Sequence, residues 1–481
     1  MTFASARELI ASIVDPGSWE SWDEALDRTG VDEEYAAALA TAAARAGTDE
    51  AVITGCAQID GHDVALMVSE FRFMGGSIGT ATSARILAAV RRATAERLPL
   101  VAATSSGGTR MQEGTPAFVT MIEVTRAVVH HKAHGLPYLV YLRNPTTGGV
   151  FASWASLGHL VVAEPGALVG FLGPRVFEAL HGEPFPQGVQ TAENLEAKGV
   201  LDAVASPAEL GPLLGRALRV LNRHVTDLSP LSAFVPDGRE GPDAWDAITI
   251  TRRPDRPGAS QLLARNFTEV VPCRGTRAGE VSTGMLTAMA MLCDRLPCVL
   301  VAQDRDAQRT QRPLGPADLR AARRGMQLAE QLRLPLVTVI DTPGADLSVE
   351  AEEGALASEI ARSLADMVQL SVPSVAVLLG EGCGGGALAL LPARRVVAAR
   401  NAWLAPLPPE GASTILLGHP EHAATMARQQ RVRAEDLRTL GVVHAVVDEP
   451  VAADTDPGPF LDRIADEVLR QFTLQEPVDP R

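Results

Sequence analysis

Aromatic side chains are scarce in this 481-residue chain, at 4 %, although hydrophobic residues make up 46 %. Alanine, valine and leucine therefore have to fill its cores. Lysine is scarcer still: of 43 basic residues only Lys132 and Lys198 are lysines. No Lys/Arg run supplies the basic footprint of a nucleic-acid binder, and the formal net charge of −15 points the same way. The cysteines Cys56, Cys273, Cys293, Cys298 and Cys383 include no CxxC pair, which argues against a four-cysteine zinc site. Their odd number, with no secretory signal, predicts reduced thiols and a cytoplasmic protein. The stretch "MTFASARELI" is amphipathic, lacks a long apolar centre and is read as no signal peptide. No apolar run reaches about 18 residues, so no membrane span is expected.

What the chain does have is a copy of itself. Leu98 and Leu334 open two LPLV stretches, 236 residues apart. "ERLPLVAATSSGGTRMQEG" matches "LRLPLVTVIDTPGADLSVEAEEG", and "GLPYLVYLRNPTTGGVFAS" matches "SVPSVAVLLGEGCGGGALA". "AENLEAKGVLDAVAS" matches "AEDLRTLGVVHAVVD" further on. Matched blocks in one order at a nearly constant offset imply two copies of one domain. Length allows it, since each half can bury a core. Residues 1–226 and 247–481 are read as the two domains. Residues 227–246, rich in Pro, Gly and Asp, are read as a linker.

Periodicity gives the second copy a strand at Leu336–Ile340 and a helix from Glu352 to Gln369 through Leu356, Ile360, Leu364 and Met367. Pro373 ends that helix. Strands follow at Ser374–Leu379 and Arg395–Ala398. Strand, helix, strand, helix predicts an α/β fold of parallel βαβ units.

In both copies a strand runs into paired glycines, Gly148–Gly149 and Gly385–Gly386, where a helix is expected to start. The first N–H groups of a helix lack intrahelical acceptors, and glycine lets a ligand approach the backbone. Each pair can aim N–H donors at an oxygen gaining negative charge. Taken alone, one pair is equally well explained by tight helix–strand packing. Two equivalent pairs fit a reaction with two oxygens to polarise, such as carboxyl transfer between a ureido carrier and a thioester.

At these residues the chain resembles a known family. "FMGGSIG" (Phe73–Gly79), "SGGTRMQEG" (Ser106–Gly114), "NPTTGGV" (Asn144–Val150) and "AEPGALVGFLGPR" (Ala163–Arg175) resemble the β subunit of bacterial acetyl-CoA carboxylase carboxyltransferase. "MQLAEQLRLPLVTVIDTPGA" (Met326–Ala345), "GEGCGGGALA" (Gly380–Ala389) and "PPEGAS" (Pro408–Ser413) resemble its α subunit. The resemblance covers about residues 30–210 and 265–450. It implies two tandem crotonase-like domains, β-like then α-like, as in fused actinobacterial-type carboxyltransferases.

By the same resemblance the first half binds acyl-CoA, with Gly107, Gly108 and Arg110 near the CoA and Gly148 and Gly149 on the thioester oxygen. The second half receives biotin as carboxybiotin on a separate carrier protein. There Gly385, Gly386 and Ala387 hold the ureido oxygen, and Ala387–Ala389 line the acyl pocket, Ala389 contacting substrate. Biotin itself takes the α-proton, so no side-chain base is required. The implied partners are a biotin carboxylase, a biotin carboxyl carrier protein and further copies of this chain, since the family builds its site from halves of two chains. No metal is implied. The family's N-terminal zinc module and the long N-terminal helical region of its α subunit have no counterpart here. Its Lys/Arg-rich stretch is replaced by a lysine-free one, "DRDAQRTQRPLGPADLRAARRG".

Other features are read blandly. His419 and His422 in "HPEH" are expected in a solvated loop, and His130, His131 and His134 at the surface near a helix end. Cys383 is expected to fill space. Glu113, Glu352 and Glu353 are expected to favour helix starts rather than act as bases. Two other readings stay open at this point. One is a malonate-decarboxylase-type subunit acting on an acyl-carrier thioester without biotin. The other is a non-catalytic scaffold in a carboxylase complex.

Overall fold

Every residue of the strands Leu100–Ser106 and Leu336–Thr342 is buried, as a strand covered on both faces requires. These two strands occupy the middle of two separate sheets in the computed structural model of the chain. The structure describes residues 5–475 apart from 27, 29, 224–227, 229–240 and 450. The chain forms two compact units, one of Met1–Asn222 with Arg277–Gly279, the other of Arg223–Thr276 with Glu280–Arg481. Most of the expected linker lies outside the described residues. Its last residues, from Ala244, belong to the helix Ala244–Thr251, which Asp243 caps.

The first unit holds β1 (Glu20–Ser21), β2 (Val52–Ile59), β3 (His62–Ser69), β4 (Leu100–Ser106), β5 (Tyr138–Thr147), β6 (Leu160–Ala163), β7 (Val169–Gly170) and β8 (Ala203–Val204). The sheet runs β1-β2-β3-β4-β5-β6-β8, with β7 paired to the end of β5. The second unit repeats this with β9 (Phe267–Pro272), β10 (Met285–Leu292), β11 (Leu296–Gln303), β12 (Leu336–Thr342), β13 (Ser374–Cys383), β14 (Arg395–Ala399), β15 (Trp403–Ala405) and β16 (Ala445–Val447). Its order is β9-β10-β11-β12-β13-β14-β16, with β15 on the end of β13. From β3 to β8 and from β11 to β16 the pairings are parallel, as the βαβ reading expects. The antiparallel strands β1–β3 and β9–β11 were not foreseen, so each sheet is mixed. The helix expected from Glu352 to Gln369 is two, Val349–Glu353 and Leu356–Gln369, broken where Ala355 turns left-handed (φ 65°).

One irregularity, present in both copies, positions the site. Thr104 pairs with Leu142, but Ser106 pairs with Thr146, so β5 advances four residues while β4 advances two. Ile340 pairs with Leu378 and Thr342 with Gly382 in the same way. Such a bulge bends the strand. Beyond it the end of β5 joins β7, the end of β13 joins β15, and a glycine turn follows at once.

Candidate active site

In the first unit two loops meet at their glycines. After β4, Gly108 (φ +111°) is held by its N–H on Ser106 Oγ at 3.0 Å, and its carbonyl accepts the Ile78 N–H at 2.9 Å. After β5, Gly148 (φ +67°) lies so close that a Cβ on it would stand 3.2 Å from Gly108 Cα. Only glycine suits both positions, because left-handed backbone and close backbone approach coincide there. The structure thus brings Gly107, Gly108, Gly148 and Gly149 together. It also revises which donors are open. The Gly148 N–H is taken by the Phe171 carbonyl at 2.9 Å. The N–H groups of Gly149 and Val150 have no acceptor among the described residues. The expected helix start is here a run of turns leading to a 3₁₀ segment, Trp154–Ser156.

The second unit matches this position by position. Thr342 Oγ1 accepts the Gly344 N–H at 3.2 Å, as Ser106 does for Gly108. Gly384 turns left-handed (φ +66°) as Gly148 does, so the structural counterpart of Gly148–Gly149 is Gly384–Gly385, one residue earlier than the sequence match suggests. A five-residue helix, Gly384–Leu388, follows, capped by Cys383. In helix geometry the capping carbonyl takes the first ladder bond, so the Ala387 N–H belongs to Cys383. Gly385 and Gly386 keep open N–H groups and donate to no other described group. Of the expected donors, Gly149, Gly385 and Gly386 have open N–H groups, Gly148 and Ala387 are engaged, and Val150, not among them, has an open N–H as well. Sequence reasoning passed over Val150 because its donor is backbone and its side chain is a buried aliphatic.

Side chains beneath the second turn have no counterpart of the same kind in the first. Gln303, fully buried at the end of β11, donates from Nε2 to the Gly386 carbonyl at 2.7 Å and accepts the Asp341 N–H at 3.1 Å. Asp341 Oδ1 accepts the Glu381 N–H, which the bulge leaves unpaired, at 2.9 Å. Where the second copy has Glu381, the first has Pro145, which has no N–H to satisfy. Asp341 also faces Arg305 at 3.2 Å, with both side chains fully buried. Glu381 pairs with Arg309 and lies 3.4 Å from Arg252. No sequence signal marks Gln303 or Asp341, since both look like ordinary strand ends.

Burial pushes the Asp341 carboxyl up to about 6, against the pull of Arg305 and the Glu381 N–H. A carboxyl raised in the folded state binds its proton there before it does so unfolded. Its stabilising contribution is present at about pH 4 and is lost as the pH rises through about 6. The thermal-midpoint advantage of the native chain over Asp341→Asn, which cannot titrate, should therefore shrink between pH 4 and pH 7. An advantage that grows over that range would contradict this sign.

Arg110, expected near the CoA, is closed into the interior. It is 1 % exposed and spent on Glu50 (Nη2–Oε1 2.5 Å), the Ser77 carbonyl (2.8 Å) and Thr82 (3.2 Å). It anchors the loop and offers no charge outward. Ala387 and Ala389 are fully buried, and the exposed residue of that turn is Leu388. His131 is not at the surface: it is fully buried beside Thr94 and the Pro137 carbonyl, and desolvation lowers it to about 4. Glu113 accepts the Thr80 N–H at 2.6 Å, at the start of helix Thr80–Ala95, and the Tyr35 hydroxyl at 2.6 Å. Burial pushes the Cys383 thiol up to about 11, so it stays protonated. His419 and His422 are exposed in a 3₁₀ turn. Among the described residues no group of three or more His, Cys, Asp or Glu is arranged for a metal, and no helix is long and apolar enough to cross a membrane.

Two copies of one α/β domain, each ending its bulged strand in a glycine turn with open N–H donors, define a class of acyl-group enzymes. Residues 4–455 match the carboxyl transferase domain family. A Mycobacterium tuberculosis protein described as a probable biotin-dependent acyl-coenzyme A carboxylase beta3 subunit is 51 % identical over 473 residues, 98 % of this chain and 94 % of that one. A Salinispora arenicola protein described as acetyl-coenzyme A carboxylase carboxyl transferase subunits beta/alpha is 38 % identical over 491 residues, 97 % of this chain and 86 % of that one. The chain belongs to the family of biotin-dependent acyl-coenzyme A carboxylase carboxyltransferases. The crystal structure of transcarboxylase 12S, a hexamer assembly with hydrolysed methylmalonyl-coenzyme A bound, superposes with a TM-score of 0.75 at 22 % identity, over all of this chain and 91 % of that one. The fold is that of tandem crotonase-like halves, as expected.

Proposed function

We propose that the chain transfers a carboxyl group from carboxybiotin, carried on a biotin carboxyl carrier protein, to acetyl-CoA, forming malonyl-CoA. The observation that carries this reading is the duplicated turn: two open donors at Gly149 and Val150, and two at the equivalent Gly385 and Gly386. A backbone N–H pair aimed at an oxygen stabilises the charge that develops there. The first pair serves the thioester oxygen of acyl-CoA, whose pantetheine arm passes the Gly107–Gly108 loop. The second pair serves the ureido oxygen of biotin. Carboxybiotin supplies the activated carboxyl group when bound.

The chain's own part is to orient and to polarise, since the charged groups near the turns are committed to one another. Arg110 is closed off by Glu50, and Arg309 by Glu381. Acetyl-CoA as substrate agrees with the description of the Salinispora relative, and Ala389 backs the acyl side from beneath the second turn. We place the chain in a homo-oligomer working with a biotin carboxylase and the carrier.

The test is malonyl-CoA turnover by the purified protein with and without free biotin. Turnover that appears only with biotin supports this reading. Turnover without biotin would instead fit a malonate-decarboxylase-type activity, and none under either condition would fit a scaffold.

A further inference from the structure

We propose that Thr109 is a further catalytic residue, its hydroxyl donating a hydrogen bond to the thioester oxygen held by the first glycine turn; this rests on the proposed acyl-CoA role of that turn.

The hydroxyl stands in the right place. Thr109 Oγ1 lies 3.5 Å from where a side chain on Gly149 would begin, closer than any other atom outside the flanking residues. Gly149 carries one of the two open N–H groups. The Thr109 side chain is half-buried, and its hydroxyl has no hydrogen-bond partner among the described residues. Two other polar side chains of this loop are engaged: Ser106 Oγ holds the Gly108 N–H, and the Arg110 guanidinium is closed by Glu50. A hydroxyl left without a partner beside open donors is available to a ligand.

The position is also rigid. Thr109 bridges to Ile78, whose N–H binds the Gly108 carbonyl and whose carbonyl binds the Arg110 N–H, each at 2.9 Å. The backbone on both sides of Thr109 is thus pinned, and a β-branched side chain has few rotamers to choose from. A donor fixed in advance costs no reorganisation when charge develops.

The second copy supplies the contrast. The bridge equivalent to Ile78–Thr109 is Leu314–Ala345, so the second copy has no hydroxyl at this position. Ala345 Cβ lies 3.8 Å from where a side chain on Gly386, the counterpart of Val150, would begin. A residue kept only for packing is filled by alanine in one copy of the same loop. The hydroxyl is confined to the turn assigned to the thioester.

The test compares Thr109→Val, Thr109→Ala and Thr109→Ser in the full chain, assaying biotin-dependent malonyl-CoA turnover. Val keeps the shape and loses the hydroxyl. Both Val and Ala are expected to lower kcat about tenfold, with KM for the thioester changed less than about twofold, because the bond strengthens as charge develops. Ser is expected to restore most of the rate. Thermal midpoints should stay close together, since no described protein group loses a partner. A Val or Ala variant at wild-type rate, or a Ser variant as slow as Val, overturns the proposal. If Thr109→Val is harmless while Gly149→Val abolishes turnover, this inference falls and the role of the turn stands. If both are harmless, the role of the turn falls.

Discussion

Gly149→Val is expected to lower kcat/KM for carboxyl transfer about 100- to 1,000-fold while the protein stays folded. One lost oxyanion donor typically costs about 2.7–4 kcal/mol. The structure makes Gly149 the informative glycine. A Cβ there meets Thr109 Oγ1 at 3.5 Å and Met121 Cγ at 3.9 Å, both ordinary contacts, and its backbone is not left-handed. The two valine methyl groups then occupy the approach to the N–H without straining the loop. Gly108 and Gly148 cannot be used this way, because their positive φ and mutual contact would break the loop itself. Gly385→Val is the matching change in the second unit. Its Cβ would stand 2.7 Å from Ile360 Cδ1, so Ile360→Ala should accompany it to make room. Folded Gly149→Val protein with near-native transfer, checked by thermal melting beside the assay, would remove the first turn from the mechanism.

The purified chain is expected to carry no covalent biotin and to make no malonyl-CoA from bicarbonate, ATP and acetyl-CoA. Adding a biotin carboxylase and a biotinylated carrier should start production. Biotin attachment needs a lysine in an exposed turn of the Met-Lys-Met type, and this chain has only two lysines. Lys132 is in the helix Gly114–Ala133, its Nζ donating to the Leu157 carbonyl at 2.7 Å, and burial lowers it to about 8. Lys198 ends the helix Ala192–Ala197 and precedes Gly199. Neither sits in such a turn. With a net charge of −15, docking of the carrier has to rely on local patches. Intact-mass measurement and the reconstitution decide it together. A biotin mass on this chain, or product without the carrier, would overturn the expectation.

Much of this site was written in the residue order because glycine is hard to replace where φ is positive. Gly108 and Gly148 stand out for that reason, and so does the recurrence of a glycine run in the second copy, where the structure shifts the left-handed position from the expected Gly385–Gly386 pair to Gly384. The repeat itself was legible down to β4 and β12, whose boundaries differ by 236 residues at both ends. What the sequence could not supply was the state of each N–H. Gly148 and Gly149 look alike in the chain. Only the Phe171 carbonyl, 23 residues away, makes one of them unavailable. The resemblance puts Arg110 near the CoA, and only the fold shows that Glu50, 60 residues earlier, neutralises it in the interior. His131 was misplaced because one residue of rotation decides whether the end of a helix faces water or the core.

By itself the sequence determined the two-copy α/β architecture, the family and the two glycine turns, because these rest on local chemistry: apolar periodicity, strand-length runs and residues without a Cβ. The tertiary structure decided which donors are open. A backbone N–H is free or bound according to what lies opposite it in space, and those partners come from other loops. It also decided that Gln303 and Asp341 brace the second turn while Thr109 offers its hydroxyl at the first. The two strand bulges set where the glycine turns follow β5 and β13, and a bulge is set by the pairing between strands, which no single stretch of sequence contains.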